Sequence, residues 1–218
     1  MINCRFQRIR QAVPESVNTY PEEANTIYNS DMDMKQTPCF SDDYFRSFGR
    51  EWDREGLPKR LFCLLTNHGL RYLHAYRALQ QRRAPVFFHR FIRRVLRQNY
   101  GLELDSMKIG KGLYLGHPYN ISVSEFAEIG ENCNLNKGVT IGAENRGPRA
   151  GAPKLGNRVW VGTNAVVVGK ITIGDNVLIV PNAFVNRDVP PNSIVIGNPM
   201  QIIPDRTDAT AGYIENVC

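Results

Sequence analysis

An aliphatic residue recurs every six positions through the second half of the chain. It stands at Ile109, Leu115 and Ile121, then at Ile129, Leu135 and Ile141, then at Leu155, Val161 and Val167, and finally at Ile173, Ile179 and Val185. Six matches neither the 3.6 of a helix nor the 2.0 of a straight strand. It is the period of a coil of eighteen residues folded around three flat faces, and the four triplets predict about four stacked coils. The aliphatic side chains point inward, and successive coils pair as parallel strands about 4.8 Å apart. Apolar or small residues follow four places later at Leu113, Cys133, Val139, Val159, Ala165, Ile171, Val177, Ala183 and Val189. Gly follows the aliphatic residue at Gly110, Gly116, Gly130, Gly142, Gly156, Gly162 and Gly174, where a small residue is expected to let the chain turn a tight corner.

The count breaks twice. Eight residues separate Ile121 from Ile129, and fourteen separate Ile141 from Leu155. The second break predicts an extruded loop over residues 143–152, and a regular stack that lets one loop escape is expected to place it over a site.

Around this repeat region, residues 105–203, lie three other zones. Residues 1–40 are polar, broken by Pro14, Pro21 and Pro38, and read as a flexible arm. Residues 41–104 read as helical, with Ser41, Asp42 and Asp43 as an N-terminal cap. One apolar stripe runs through Leu61, Leu64, Leu65, Leu70, Leu73 and Tyr76. A further helix is predicted from Pro85, in its first turn, to Gln98, with Val86, Phe87, Phe91, Ile92, Val95 and Leu96 as its stripe. Residues 204–218 form a tail. Between Leu57 and Gln98 stand ten Lys or Arg, Arg82 and Arg83 among them, and no acid. These cations are expected to be solvated and to pair with acids of a neighbouring subunit; the alternative is attraction of an anionic acceptor.

The net charge of +6 favours anionic partners, but no nucleic-acid recognition motif accompanies it. Five cysteines without a C-x-x-C pair argue against a disulfide framework or zinc ribbon and fit a cytoplasmic protein. No stretch approaches the roughly 20 apolar residues of a membrane span, so any membrane contact is expected to be peripheral.

The repeats, the segment Val159-Trp160-Val161-Gly162 and the ending Ile196-Gly197-Asn198-Pro199 resemble the left-handed parallel β-helix acyltransferases. Within that family the chain is most similar to the serine acetyltransferases and the O-acetyltransferases of capsule and surface polysaccharides. The resemblance covers about residues 57–203 and implies acyl transfer from acetyl-CoA, a homotrimer and a left-handed coil. The family base is a His followed eight residues later by Glu, matched by His117 and Glu125. The Asp that orients that His has no counterpart in register; Glu103 is the nearest substitute. Imidazole suits the task, because its pKa near 6.5 lets it take a hydroxyl proton at neutral pH. Gly142 and Ala143, where the chain leaves the prism, are candidates for the backbone N–H that receives the oxyanion. The resemblance further implies acetyl-CoA contacts at Ala143, Trp160, Gly162, Ala165, Pro181, Asn182 and Ala183, with Lys170 and Arg187 as phosphate partners. Candidates for the acceptor are Asn120, Glu125, Arg146 and Arg149.

Serine acetyltransferases carry R-H-P-K-I in the extruded loop, where this chain reads Gly151-Ala152-Pro153-Lys154-Leu155. Both polar side chains that hold serine are replaced, so a sugar hydroxyl of a surface polysaccharide is the expected acceptor, with serine as the alternative. A metal enzyme on the same prism would need three His ligands, and the repeats contain only His117, so no metal is expected. A non-catalytic trimeric scaffold is the remaining alternative.

Overall fold

The computed structural model describes residues 38–81 and 85–218. Most of the expected polar arm, together with Arg82 and Arg83, lies outside the described residues.

The repeat region is a three-faced β-solenoid. Face A stacks β1 (Leu102–Leu104), β3 (Ile121–Val123), β6 (Thr140–Gly142), β9 (Val166–Val168) and β12 (Phe184–Val185). Face B stacks β4 (Glu128–Ile129), β7 (Lys154–Leu155) and β10 (Thr172–Ile173). Face C stacks β2 (Tyr114–Gly116), β5 (Asn134–Asn136), β8 (Trp160–Val161), β11 (Val177–Ile179) and β13 (Ser193–Ile196), closed by β14 (Gln201–Ile203). All strand pairs are parallel except β13 with β14. All twelve residues of the predicted aliphatic column are buried. Each buried side chain of this size contributes about 1.5–3 kcal/mol, so the column is the dominant stabilising feature of the fold.

Two details of the repeat differ from the sequence expectation. The solenoid has about five coils, because β1 opens a coil before Ile109 and Val185, Val189 and Val195 complete a shorter one at the far end. The two-residue excess also lies elsewhere. Val123, not Ile121, sits opposite Ile141, while Ile121 sits opposite Leu102. The spacing of six therefore resumes at Val123, and the extra residues belong to the turn after Leu115, which contains His117.

The corner glycines also act differently. Gly130, Gly162 and Gly174 have no positive φ. A Cβ at Gly130 would stand 2.5 Å from the Gly156 carbonyl oxygen, and one at Gly162 would stand 2.5 Å from the Pro181 nitrogen. These positions are small because the next coil passes there. The left-handed corner conformation falls instead to Asn132, Asn164, Asn176, Asn182 and Asn192, whose short amides tolerate it.

The helices are α1 (Phe40–Phe48), α2 (Leu57–Thr66), α3 (His68–Gln80) and α4 (Val86–Tyr100). The cap of α1 is Cys39, not Ser41: Asp42 accepts the Cys39 N–H at 3.1 Å. The single expected stripe is broken at Asn67, which caps α3 through Leu70 N–H, so Leu70, Leu73 and Tyr76 are buried while Leu61 and Leu65 are exposed. Pro85 is the N-cap of α4 rather than a first-turn residue, and Phe87 and Phe91 of its stripe are exposed.

The basic zone has a use that charge alone did not reveal. The first coil has no coil beyond it, so those of its backbone groups that face away from the second coil have no ladder partner. Helix side chains supply them. Arg77 donates to the Ile109 and Gly110 carbonyls at 2.8 and 2.7 Å, and Arg93 donates to the Leu104 carbonyl at 2.7 Å. Gln80 donates to Met107 O, Tyr76 to Ser106 O and Arg46 to Gly112 O, while Tyr72 Oη accepts the Leu104 N–H. Arg77 is itself fixed by a bidentate pair with the fully buried Asp43, at 2.7 and 2.9 Å, and Asp43 also accepts the Leu113 N–H. Burial pushes the Asp43 carboxyl up, against the pull of Arg77. Burial likewise opposes the Arg77 charge, but Asp43 outweighs it and holds the guanidinium above its ordinary value. Three donors on one carboxylate are the pattern of an ionised pair.

Removing one member of such a pair leaves a buried charge without its partner. Arg77→Met is expected to cost about 3–5 kcal/mol, measured as a lowered urea midpoint. A loss below about 1 kcal/mol would show that the helices do not hold the first coil through this pair.

Candidate active site

The residues singled out in the sequence fall along two edges of the prism. At the edge between faces C and A stand His117 and Asn120, then, past the turn of Lys137 and Gly138, Gly162 and Ala165, then Pro181, Asn182 and Ala183. The turns are in vertical contact. Gly138 N–H donates to Tyr119 O at 2.9 Å, Asn164 N–H to Lys137 O at 3.0 Å and Asn182 N–H to Thr163 O at 2.9 Å. At the edge between faces A and B stand Glu125, Gly142, Ala143, the loop with Arg146 and Arg149, then Lys170 and Arg187. Glu103 lies on face A itself, opposite Ser122.

His117 is exposed and adopts φ 49°, in the left-handed region. A β-carbon there is disfavoured by about 1–2 kcal/mol, so the surroundings must impose the conformation. The ring has no hydrogen-bond partner among the described residues. Glu103 is held by Arg97 at 3.0 Å and makes no bond to His117. Glu125 is exposed in the turn at the other end of β3, and a three-residue strand at about 3.3 Å per residue puts about 10 Å of chain between them. Within one chain Glu125 therefore does not orient the His117 ring.

Of the two oxyanion candidates, Gly142 lies in β6 opposite Val168, and its carbonyl accepts the Gly169 N–H at 3.2 Å. The Ala143 N–H donates to no described residue. The loop then closes on itself through paired bonds between Glu144 and Gly151, both 2.9 Å, and lies against the base of Lys170, whose N–H donates to Arg149 O. Arg149 is paired with Glu144 at 3.2 Å; Arg146 is exposed and has no salt bridge among the described residues.

Several expected acetyl-CoA contacts are placed differently. Ala165 and Ala183 are buried in the core, and their N–H and carbonyl groups are used within and between coils. The exposed residues on these turns are the expected Pro181 and Asn182, joined by Lys137 and Asn164. Lys137 and Asn164 were legible only as corner residues of the repeat, a position that carries no chemical signal. Trp160 points out of face C, under the tail, with its ring 5.0 Å from that of Tyr213. Lys170 and Arg187 stand on the opposite edge from Asn182, and Arg187 donates to Met200 O at 3.2 Å. Burial pushes the Cys133 thiol up to about 12, which removes it as a nucleophile. Among the described residues no three His, Cys, Asp or Glu cluster as metal ligands, and no helix is long and apolar enough to cross a membrane.

Trp160→Ala, at a half-buried position, is expected to loosen the tail and cost about 1–3 kcal/mol of stability, with the KM for acetyl-CoA unchanged within twofold. A tenfold rise in that KM without destabilisation would return Trp160 to the binding groove.

Comparison with known proteins agrees with this architecture. Residues 152–187 match the bacterial transferase hexapeptide model, which describes six repeats. A serine acetyltransferase of Helicobacter pylori strain 26695 is 37% identical over 144 residues, covering 64% of this chain and 84% of that protein. One from Synechococcus elongatus is 34% identical, covering 66% of this chain and 60% of that protein. Among solved structures, the soybean serine acetyltransferase apoenzyme is 28% identical with a TM-score of 0.53, covering 69% of this chain and 64% of that one. The Neisseria gonorrhoeae serine acetyltransferase shares the fold at a TM-score of 0.58 and 24% identity, covering 79% of this chain and 67% of that one. The six-residue coils, the exposed imidazole at their edge and these likenesses together place the chain in the hexapeptide-repeat, left-handed β-helix family of acetyl-CoA-dependent O-acetyltransferases, in the branch of the serine acetyltransferases.

Proposed function

We propose that the chain is a serine O-acetyltransferase in which His117 is the general base. The observation that carries the chemistry is an exposed imidazole held in a left-handed turn on a prism edge. The acceptor is supported by the serine acetyltransferases, 37% and 34% identical, to which the chain is similar. His117 takes the hydroxyl proton as the oxygen attacks the thioester carbonyl. The Ala143 N–H receives the charge that develops on the carbonyl oxygen. The C–S bond then breaks, and the proton returns to the leaving thiolate. Arg146 is assigned to the serine carboxylate and Glu125 to its ammonium.

His117 and Ala143 stand on different edges of one prism, and a trimer resolves this. Face B carries the exposed ladder Lys108, Glu128 and Lys154, paired at 2.8 and 3.2 Å, and suits water. Face C is covered by the tail, through Tyr213 on Trp160 and through the Asn134 amide, which donates to Tyr213 O. Face A turns Val166, Val168 and Phe184 outward, each half-buried in the single chain, and has no such cover among the described residues. Turning face A toward a three-fold axis sets the His117 edge of one copy against the Ala143 edge of the next. The acetyl-CoA groove then lies between two copies.

One observation favours a second acceptor. Gly151 and Ala152 stand where serine acetyltransferases carry Arg and His, which leaves the loop fewer donors for a carboxylate and suits a neutral sugar hydroxyl.

His117→Ala is expected to lower turnover by about 10²–10⁴-fold with acetyl-CoA still bound, measured by thiol release and calorimetry. Efficient O-acetylserine formation supports serine; turnover with nucleotide sugars or oligosaccharides alone replaces it with the second acceptor. Phe184→Glu is expected to yield monomers by sedimentation and to abolish activity, and an active monomer would refute the shared site.

A further inference from the structure

Among the described residues, the turn that carries His117 is longer than the other turns of its own edge and is the only turn of that edge clamped from outside by helices. Two of its residues, His117 and Asn120, have φ near 50°, at 49° and 52°. Nothing in the coil repeat dictates such a shape, because the other described turns of that edge keep the spacing of six. The clamp is formed by the first residues of α3 and the last of α4. His68 Nε2 lies 3.0 Å from the Pro118 carbonyl oxygen. The His68 ring is stacked on Tyr100, with centroids 4.0 Å apart and planes 13° apart, and Tyr119 packs 4.8 Å from it. The Tyr100 carbonyl in turn accepts the Asn120 N–H at 2.8 Å. The approach is close: a Cβ on Gly69 would stand 2.6 Å from Pro118, and one on Gly101 would stand 2.5 Å from Asn120 Oδ1.

A carbonyl only accepts, so the His68 nitrogen facing Pro118 carries a proton. The stack on Tyr100 fixes the plane of the ring, and the bond fixes the carbonyl one residue after His117. We infer that His68 is a positioning residue for the acetyl transfer, holding the His117 turn in its left-handed conformation through the Pro118 carbonyl. It does not touch the reacting atoms. Its effect is geometric: a shift of about 1 Å in a catalytic group can cost about 10²-fold in rate. The inference rests on His117 as the base.

The test compares three variants of the full chain. His68→Phe keeps a ring on Tyr100 and removes the donor; His68→Gln restores an N–H donor without the ring; His117→Ala tests the underlying reading. His68→Phe is expected to lower kcat roughly 10–100-fold, leave the KM for acetyl-CoA within about twofold and leave the acid limb of the pH–rate profile in place. His68→Gln is expected to recover most of kcat. If His68→Phe turns over at the wild-type rate while His117→Ala is inactive, the positioning role is wrong and the base stands. If the two His68 variants lose activity equally, the donor is not the active element and the inference is overturned. Loss of the acid limb in His68→Phe would make His68 the titrating group instead. Wild-type turnover in His117→Ala would overturn the base assignment itself, whatever His68 does.

Discussion

Everything in this molecule depends on how closely one coil lies on the next. Parallel pairing fixes that distance at about 4.8 Å, and the corners must meet it without side chains between coils. Glycine is placed where the neighbouring backbone comes within 2.5 Å of a would-be Cβ, and asparagine where the chain turns left-handed. Strands are consequently no longer than four residues and their inner positions are all core. Chemistry is left to the edges, because a face residue is either inside the prism or part of a flat outer surface.

The inward column was legible because apolar side chains at a fixed period have no other use. The position of the first break was not, because Ile121 and Val123 are both aliphatic and both buried, two apart on one strand. Composition permits either phase; only the partners Leu102 and Ile141 decide between them. Among the helix arginines, Arg77 and Arg93 depart from the expected solvated role for a related reason. A side chain that donates to another side chain leaves a trace as a matching charge. Arg77 and Arg93 donate to backbone carbonyls, which every residue has. His117 was legible as the lone imidazole among the repeats, but its place on a different edge from Ala143 was not, since a period alone does not say which residues share an edge.

The reading of the acceptor illustrates the limits of a motif. The loop frame Pro153-Lys154-Leu155 persists because Leu155 is an inward column residue and Lys154 pairs with Glu128 on face B. These are structural constraints, independent of what binds above them. Just outside the frame Gly151 closes the loop on Glu144 with φ 131° and Ala152 packs on the core, and it is there that the chain departs from the serine acetyltransferase pattern. Fold likeness and acceptor recognition are thus carried by adjacent residues with different physical reasons for being what they are.

A stack of identical rungs has no natural length, and this one is finite only because both ends are closed by something other than another rung. At one end β14 runs antiparallel against β13 and stops the ladder. At the other, arginines, a glutamine and tyrosines from the helices occupy the groups that a further coil would use. Length is therefore a property of the terminators and not of the repeat. Gaining or losing an eighteen-residue unit between them would leave both closures intact and slide the far end by about 4.8 Å per unit relative to His117, which makes the length of that edge adjustable in fixed steps.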